Sequence, residues 1–420
     1  MALVSIWYIT EIRCKRTQAN HEQVLKEGKH TRTIISAGPD ASNETAKHFD
    51  VISFDPRGVN NTRPIFHCFP DHIERLIFEK ELNAYGVPGS SNTAFTNHWT
   101  RIRTLADSCS KRAVEAGIGE HMSTSSVARD IIEIVERHGE WREQEARRLF
   151  TILGQSEEDL PSHVRYQPGE ELVQYWGFSY GTVLGATLAD MYPGYVKRVI
   201  LDGVVDSFDY YKGGWTTNLQ DTDLEITKFA EYCWMGGSKN CALYHEDGPA
   251  FIVQRFADIM QELLDGPIGV PGTDEYSPDL ATYSDLKMFF FTVAYRPLAK
   301  FHQLAEVMAQ LEKGNGTALV QGRRQISPLL KQGLSAQCKE DGPYSDACDP
   351  ANSDLAGQLV TVGILCTDSE DQTDTTKEEY REYLQDLMNQ SKLMGDVWSR
   401  IRMPCTQVNV LKVYSSSTQD

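Results

Sequence analysis

The chain has 420 residues with 59 acidic against 41 basic side chains, a formal net charge of -18. Such a balance repels phosphate backbones and argues against nucleic acid as a partner, and no window reaches the roughly 18 consecutive apolar residues that span a bilayer, so an integral membrane protein is not expected. A hydrophobic content of 40% supports a large core, and a prior of about 150 residues per domain predicts two lobes or one domain with an insertion.

In chain order, residues 1–30 are polar and without period. Their one apolar run, Ala2 to Ile9, lacks the basic flank and small-residue cleavage site of a signal peptide, and we read the native N-terminus as altered or absent. Val51 to Phe54 reads as a strand ended by Asp55-Pro56-Arg57-Gly58, where Asp55 and Arg57 are expected to form a structural ion pair. His67-Cys68-Phe69-Pro70-Asp71-His72 holds metal-ligand side chains, but Pro70 breaks their helical spacing and Cys68 fits a bridge better, so no metal is expected there. A helix is predicted over Ser125 to His138, with Val127, Ile131 and Val135 four apart in a stripe that faces a sheet. Glu140 to Gly169 is charged and low in apolar period, which predicts a surface insertion.

A strand-like apolar run, Leu172 to Trp176, and a helix-like run, Thr182 to Met191, enclose Gly177-Phe178-Ser179-Tyr180-Gly181. A serine between two glycines at such a junction sits on a sharp, strained turn that lifts its hydroxyl out of the backbone, the nucleophile elbow of α/β-hydrolases. Ser179 is therefore the candidate nucleophile, and the N–H of Tyr180 the candidate donor to an oxyanion. Gly181, Gly185 and Ala186 let the helix pack close to the strand; the alternative is a Gly-rich turn with an idle serine. Val196 to Leu201, after the helix-stopping Tyr192-Pro193-Gly194, reads as a second strand and completes a right-handed parallel unit.

Residues 207–362 interrupt this pattern with helical stretches such as Leu286 to Tyr295 and Leu304 to Leu311. The aromatic residues Trp215, Tyr232, Trp234, Phe289, Phe290, Phe291 and Tyr295 either pack inside that segment or line an apolar pocket. Asp368 to Asp374 is acidic but lacks the glycine that an EF-hand needs at its sixth position, and Thr376-Lys377-Glu378-Glu379 instead predicts a capping box at a helix start. Of nine cysteines, Cys233 with Cys241 and Cys338 with Cys348 are close pairs in loop-like stretches that favour disulfides. Cys68 with Cys109 and Cys366 with Cys405 are further candidate bridges, which would leave Cys14 unpaired, and buried free thiols are the alternative. Asn43, Asn60, Asn315 and Asn389 lie in glycosylation acceptor patterns.

Four ordered motifs carry a family resemblance: Phe49 to Val59, Val127-Ala128-Arg129-Asp130-Ile131-Ile132, Tyr175 to Thr182 continuing through Met191-Tyr192-Pro193 to Leu201-Asp202-Gly203-Val204-Val205-Asp206, and Gly363-Ile364-Leu365-Cys366-Thr367-Asp368. Over roughly residues 31 to 405 the chain resembles the tripeptidyl-aminopeptidase-like and prolyl-aminopeptidase-like branch of the α/β-hydrolases, especially its fungal secreted members. The resemblance implies an α/β fold: a mostly parallel sheet flanked by helices, with a helical lid. Residues 31–206 would be the core with the elbow, 207–362 the lid, and 363–405 a return to the core, between divergent ends at 1–30 and 406–420. It implies a secreted serine exopeptidase that releases short peptides from amino termini through an acyl-enzyme on Ser179, without cofactor or metal. An esterase on small acyl esters and a catalytically impaired hydrolase-fold protein are the alternatives.

The rest of the machinery is harder to place. The triad order Ser, Asp or Glu, His finds only His245 and His302 after Ser179, both within the lid-like segment, next to Tyr244 and Phe301 on expected helices, and both read as structural. The family's Asp and Gly-His motifs would lie beyond Cys405, and its Gly-Gly-Pro-Gly-like oxyanion loop before about residue 31; Ala37-Gly38-Pro39-Asp40 belongs to the stretch after it. The chain is thus expected to be truncated at both ends and nearly inactive, since loss of a triad member costs on the order of 10⁴ to 10⁶ in turnover.

Overall fold

A computed structural model describes residues 6–11, 49–59, 62–274, 276–326, 340–341 and 357–408. The elements begin with β1 (Ile6–Glu11), β2 (Phe49–Ile52), α1 (His72–Ala84), α2 (Asn92–Glu115), α3 (Thr124–Ile152), β3 (Val173–Phe178), α4 (Tyr180–Met191) and β4 (Val196–Asp202). They continue with α5 (Ser207–Tyr211), α6 (Leu224–Gly236), α7 (Pro249–Asp265), β5 (Ile268–Val270), β6 (Asp279–Ala281), α8 (Tyr283–Ala294), α9 (Pro297–Leu311) and α10 (Thr317–Ile326). The last helices are α11 (Gly357–Asp368), α12 (Lys377–Gln390) and α13 (Gly395–Ser399). The chain divides into two compact units, one from residues up to Phe66 with Ala116–Tyr210, the other from His67–Glu115 with Tyr211 to Val408.

The first unit is built on a sheet of order β2-β1-β3-β4. β3 and β4 run parallel, Tyr175 opposite Val199 and Gly177 opposite Leu201, while β1 is antiparallel to both β2 and β3. The strand at Ile6–Glu11 falls in a stretch whose sequence shows no period: its β-forming Ile-Trp-Tyr-Ile-Thr run is too short to reveal itself until β2 and β3 flank it. β2 begins and ends two residues earlier than expected, because Phe54 already leads into the Asp55-Pro56 turn.

One face of β3 is packed by helices. Val173 and Tyr175 are buried with Val127, Ala128, Ile131, Ile132 and Val135 of α3 and with Leu184 and Leu188 of α4, so the predicted stripe does face the sheet; each such side chain is worth about 1.5–3 kcal/mol when removed from water. Gln174 and Trp176 point to the opposite face, as strand alternation requires.

Two expectations are corrected here. The helix predicted to end at His138 continues to Ile152, taking up the first 13 of the 30 residues of the presumed insertion Glu140 to Gly169. Its outer half needs no apolar stripe, because Arg137 pairs with Glu133 and Glu140, Arg147 with Glu143, and Arg148 with Glu145, all three or four residues apart. Such pairs each add a few tenths of a kcal/mol to a solvated helix. Gly139 makes room for Glu171, whose carboxylate takes both ends of the Arg142 fork at 2.6 and 3.0 Å. The second correction concerns Arg57, which pairs with Asp130 of α3 rather than with Asp55, through Nε at 2.6 Å and Nη2 at 2.8 Å. A planar fork favours a carboxylate that can meet it side-on, and this hydrogen bond raises the arginine's pKa further.

The second unit is helical, with a two-stranded ribbon of β5 and β6. Its core joins α2, α6, α7, α8, α9, α10 and α12 around Phe95, Phe229, Phe256, Phe290 and Tyr380. The capping box forms as expected: Thr376 Oγ1 accepts from Glu379 N, and Glu379 Oε2 accepts from Thr376 N. Three of the candidate disulfides are present, Cys68–Cys109, Cys233–Cys241 and Cys366–Cys405; Cys338, Cys348 and Cys14 lie outside the described residues. Among the described residues no helix is long and apolar enough to cross a membrane.

Candidate active site

The predicted elbow lies in the first unit, between the C-terminal end of β3 and the first turn of α4. Ser179 is the residue between them, at φ 54° and ψ -122°. Among the described residues only Ser179 and Trp215 have a positive φ without being glycine. Such a backbone costs on the order of 1–3 kcal/mol and persists only where its surroundings over-determine it.

The surroundings explain the flanking glycines. A Cβ on Gly177 would lie 2.3 Å from the carbonyl oxygen of Gly181, and one on Gly185 would lie 2.5 Å from the Tyr175 ring and 2.7 Å from Leu201. Only hydrogen at both places lets α4 turn back so tightly against β3. Gly181 itself is under less pressure, its added Cβ meeting the Tyr175 hydroxyl at 3.4 Å. That hydroxyl donates to Gly181 O at 2.6 Å, and burial pushes the phenol's pKa up, so it remains a donor at every ordinary pH.

The backbone of Ser179 is held at both polar groups. Its N–H donates to Asp202 O at the end of β4, 3.2 Å away. Its carbonyl accepts from Thr182 N at 2.9 Å and from Thr182 Oγ1 at 2.7 Å. The side chain is half-buried, and among the described residues its hydroxyl has no hydrogen-bond partner. Tyr180 supplies the first amide of α4, a position where N–H groups have no intrahelical acceptor and the helix presents positive charge. The Tyr180 side chain leans away to Thr124, its hydroxyl 2.5 Å from Oγ1, and stacks obliquely on Tyr210. The arrangement thus presents a hydroxyl at a helix N-terminus, where developing negative charge is stabilised.

The two histidines considered as bases belong to the second unit. His245 lies in the loop between α6 and α7, not on a helix, because the Cys233–Cys241 bridge and Gly237 at φ 70° end α6 before it. Its ring stacks on Phe251 and its Nδ1 accepts from Asp247 N. His302 stands on α9, 73% exposed, with Glu306 Oε1 3.5 Å from Nδ1. Of the aromatic set, Phe289 and Phe290 are buried in the helical core, while Tyr232, Trp234 and Tyr295 remain about half exposed. In the metal-ligand-rich segment Cys68 is bound to Cys109, and His67 Nδ1 lies 3.1 Å from Phe69 O. The Ala37-Gly38-Pro39-Asp40 stretch lies outside the described residues.

Sequence reasoning missed Tyr175 and Thr182. Their signal was a hydroxyl four residues before the serine on a buried strand and another three residues after it; neither residue type is needed for the apolar periodicity of β3 or α4.

The strand, turn, helix and parallel strand around Ser179, with the helices that cover the sheet, are those of an α/β-hydrolase fold. No protein-family model matches the chain. It is 30% identical over 330 residues, 77% of its own length, to a tripeptidyl aminopeptidase of Streptomyces lividans, and equally to that of Streptomyces coelicolor. Over 163 residues it is 27% identical to the serine protease Hip1 of Mycobacterium tuberculosis, and over 223 residues 22% identical to the putative hydrolase YuaR of Escherichia coli. These matches cover 38% and 52% of the chain, and 24% and 34% of the respective relatives. These similarities support an α/β-hydrolase of a peptidase-like family. The chain spans about half the length of the aminopeptidases it matches, 48% of each.

Proposed function

We propose that the protein is a serine exopeptidase that takes short peptides from the amino termini of peptide substrates. Ser179 Oγ attacks the scissile carbonyl, the C–N bond breaks as the serine's proton passes to the departing amine, and water then hydrolyses the acyl-enzyme to regenerate the Ser179 hydroxyl. The Tyr180 N–H donates to the oxyanion that forms at each tetrahedral stage. The observation that carries this reading is the backbone of Ser179, a strained positive-φ serine at the head of a helix. The amino-terminal preference rests on the name shared by the two Streptomyces relatives.

The same reading makes 207–362 the lid and places the protein outside the cell. Three disulfides support an oxidising compartment. Asn315 and Asn389 are exposed and available as glycosylation acceptors, while Asn43 and Asn60 lie outside the described residues.

Fluorophosphonate labelling of the purified chain tests the nucleophile, with the modified residue mapped by mass spectrometry. The expected adduct is on Ser179 and is lost in Ser179→Ala. Labelling elsewhere, or none, overturns the assignment and leaves the impaired hydrolase. Hydrolysis of aryl-peptides with free but not blocked α-amines separates the exopeptidase from an esterase, which would accept small acyl esters and ignore the amine.

A further inference from the structure

Ser179 pays for its strained backbone with unusually complete anchoring, and one side chain closes the circuit. The Ser179 N–H is bound to Asp202 O, the last residue of β4. From Asp202 the chain turns through Gly203, at φ 64°, to Val205. The Val205 N–H donates to Thr182 Oγ1 at 3.0 Å, and the same hydroxyl donates to Ser179 O at 2.7 Å. The loop of contacts therefore runs from Ser179 N to β4, along the β4 exit, and back through Thr182 to Ser179 O. Thr182 is 1% exposed, so water has no access to replace its hydroxyl.

We propose that Thr182 is a positioning residue for the Ser179 nucleophile, its hydroxyl bridging the elbow carbonyl to the chain leaving β4. The inference rests on Ser179 being the nucleophile. The hydroxyl's proton and one of its two lone pairs are used, and both partners are backbone groups, the serine's own carbonyl and the Val205 amide. Without it, Ser179 O keeps its bond from Thr182 N, so α4 still starts where it does. What is lost is the second of two ties between Ser179 and the β4 exit, leaving only Ser179 N on Asp202 O, and with it the fixed direction of Oγ. A serine whose rotor is aimed by a loosened backbone reacts more slowly without binding its target less well, because the reacting atoms must find alignment anew in each encounter.

The test compares wild type, Thr182→Val, Thr182→Ala, Thr182→Ser and Ser179→Ala in fluorophosphonate labelling, read as the limiting rate and the half-saturating probe concentration. Thr182→Val keeps the branched shape and removes the hydroxyl, Thr182→Ala serves if the valine variant does not fold, and Thr182→Ser restores the bridge. The limiting rate is expected to fall about 10- to 100-fold in Thr182→Val, with half-saturation unchanged within about twofold and recovery in Thr182→Ser. Equal limiting rates in wild type and the hydroxyl-less variants, or a serine variant as slow as the valine one, overturn the positioning role while leaving the nucleophile intact. A wild type that labels no faster than Ser179→Ala overturns both.

Discussion

His98 should make the helical unit lose stability as the pH falls. It is wholly buried on α2, with Nε2 2.7 Å from Gly86 O and no partner for Nδ1 among the described residues. Because the carbonyl can only accept, Nε2 carries the proton in the folded state. Burial, aided by the charge of Arg400 and opposed by the Gly86 bond, pushes its pKa from the ordinary 6.5 down to about 4. The folded protein therefore binds this proton less readily than the unfolded chain. The group costs nothing above pH 6.5 and its penalty grows as the pH falls toward 4. At about 1.4 kcal/mol for each unit between the pH and 6.5, the loss is about 2 kcal/mol at pH 5 and about 3 at pH 4. Carboxylates contribute their own acid sensitivity, so the measurement is a difference. Urea unfolding of wild type and His98→Gln, followed by tryptophan fluorescence at pH 7 and pH 5, should show the gap between them moving by about 2 kcal/mol in favour of glutamine at the lower pH. Glutamine keeps an N–H for Gly86 O and cannot titrate. Parallel stability curves for the two proteins across that range would refute the assignment of a neutral buried imidazole.

Other consequences follow from contacts already described. Gly185→Ala must push a methyl into the Tyr175 ring and Leu201 and should destabilise the first unit by about 1–3 kcal/mol in denaturant titration; Gly177→Ala, whose methyl meets the Gly181 backbone as well as the Tyr175 ring, should fail to give folded protein. Lys287 Nζ and Asp396 Oδ1 pair at 2.6 Å with both side chains fully buried, so Lys287→Met should cost about 3–5 kcal/mol, and Lys287→Met with Asp396→Leu should recover most of that loss. Loop entropy gives the Cys68–Cys109 bridge, 41 residues apart, about 4 kcal/mol, against about 2.5 for Cys233–Cys241, 8 residues apart; paired serine substitutions at each bridge, compared by thermal unfolding, should preserve that order.

The parts of the fold that were legible in the sequence are those whose signal is local. β3, α4 and β4 announce themselves by two glycines and a serine between an apolar run and a helix, and the stripe of Val127, Ile131 and Val135 finds the sheet because burial repeats every turn. Thr376 with Glu379 is similarly self-contained. β1 was not legible, since six residues form a strand only when two others are present to accept it. The outer half of α3 carries no apolar period to read, because Arg147 with Glu143 and Arg148 with Glu145 hold it with charge instead. The partner of Arg57 was not legible either: Asp55 is nearest in sequence, but Asp130 is the carboxylate that the packing of α3 presents edge-on.

The site divides along the same line. The motif names Ser179 because the elbow's tightness is written in glycines, Gly177 facing Gly181 O and, beyond the motif, Gly185 facing the Tyr175 ring. The groups that hold the strained backbone leave no such mark. Asp202 acts through its carbonyl, which any residue would offer, and Thr182 acts through a hydroxyl that helix propensity merely tolerates. A motif records what a position forbids, because a forbidden side chain removes every residue but one. What a position requires of its neighbours is spread over two strands and a turn, and it emerges only when Ser179 N is found on Asp202 and Ser179 O on Thr182.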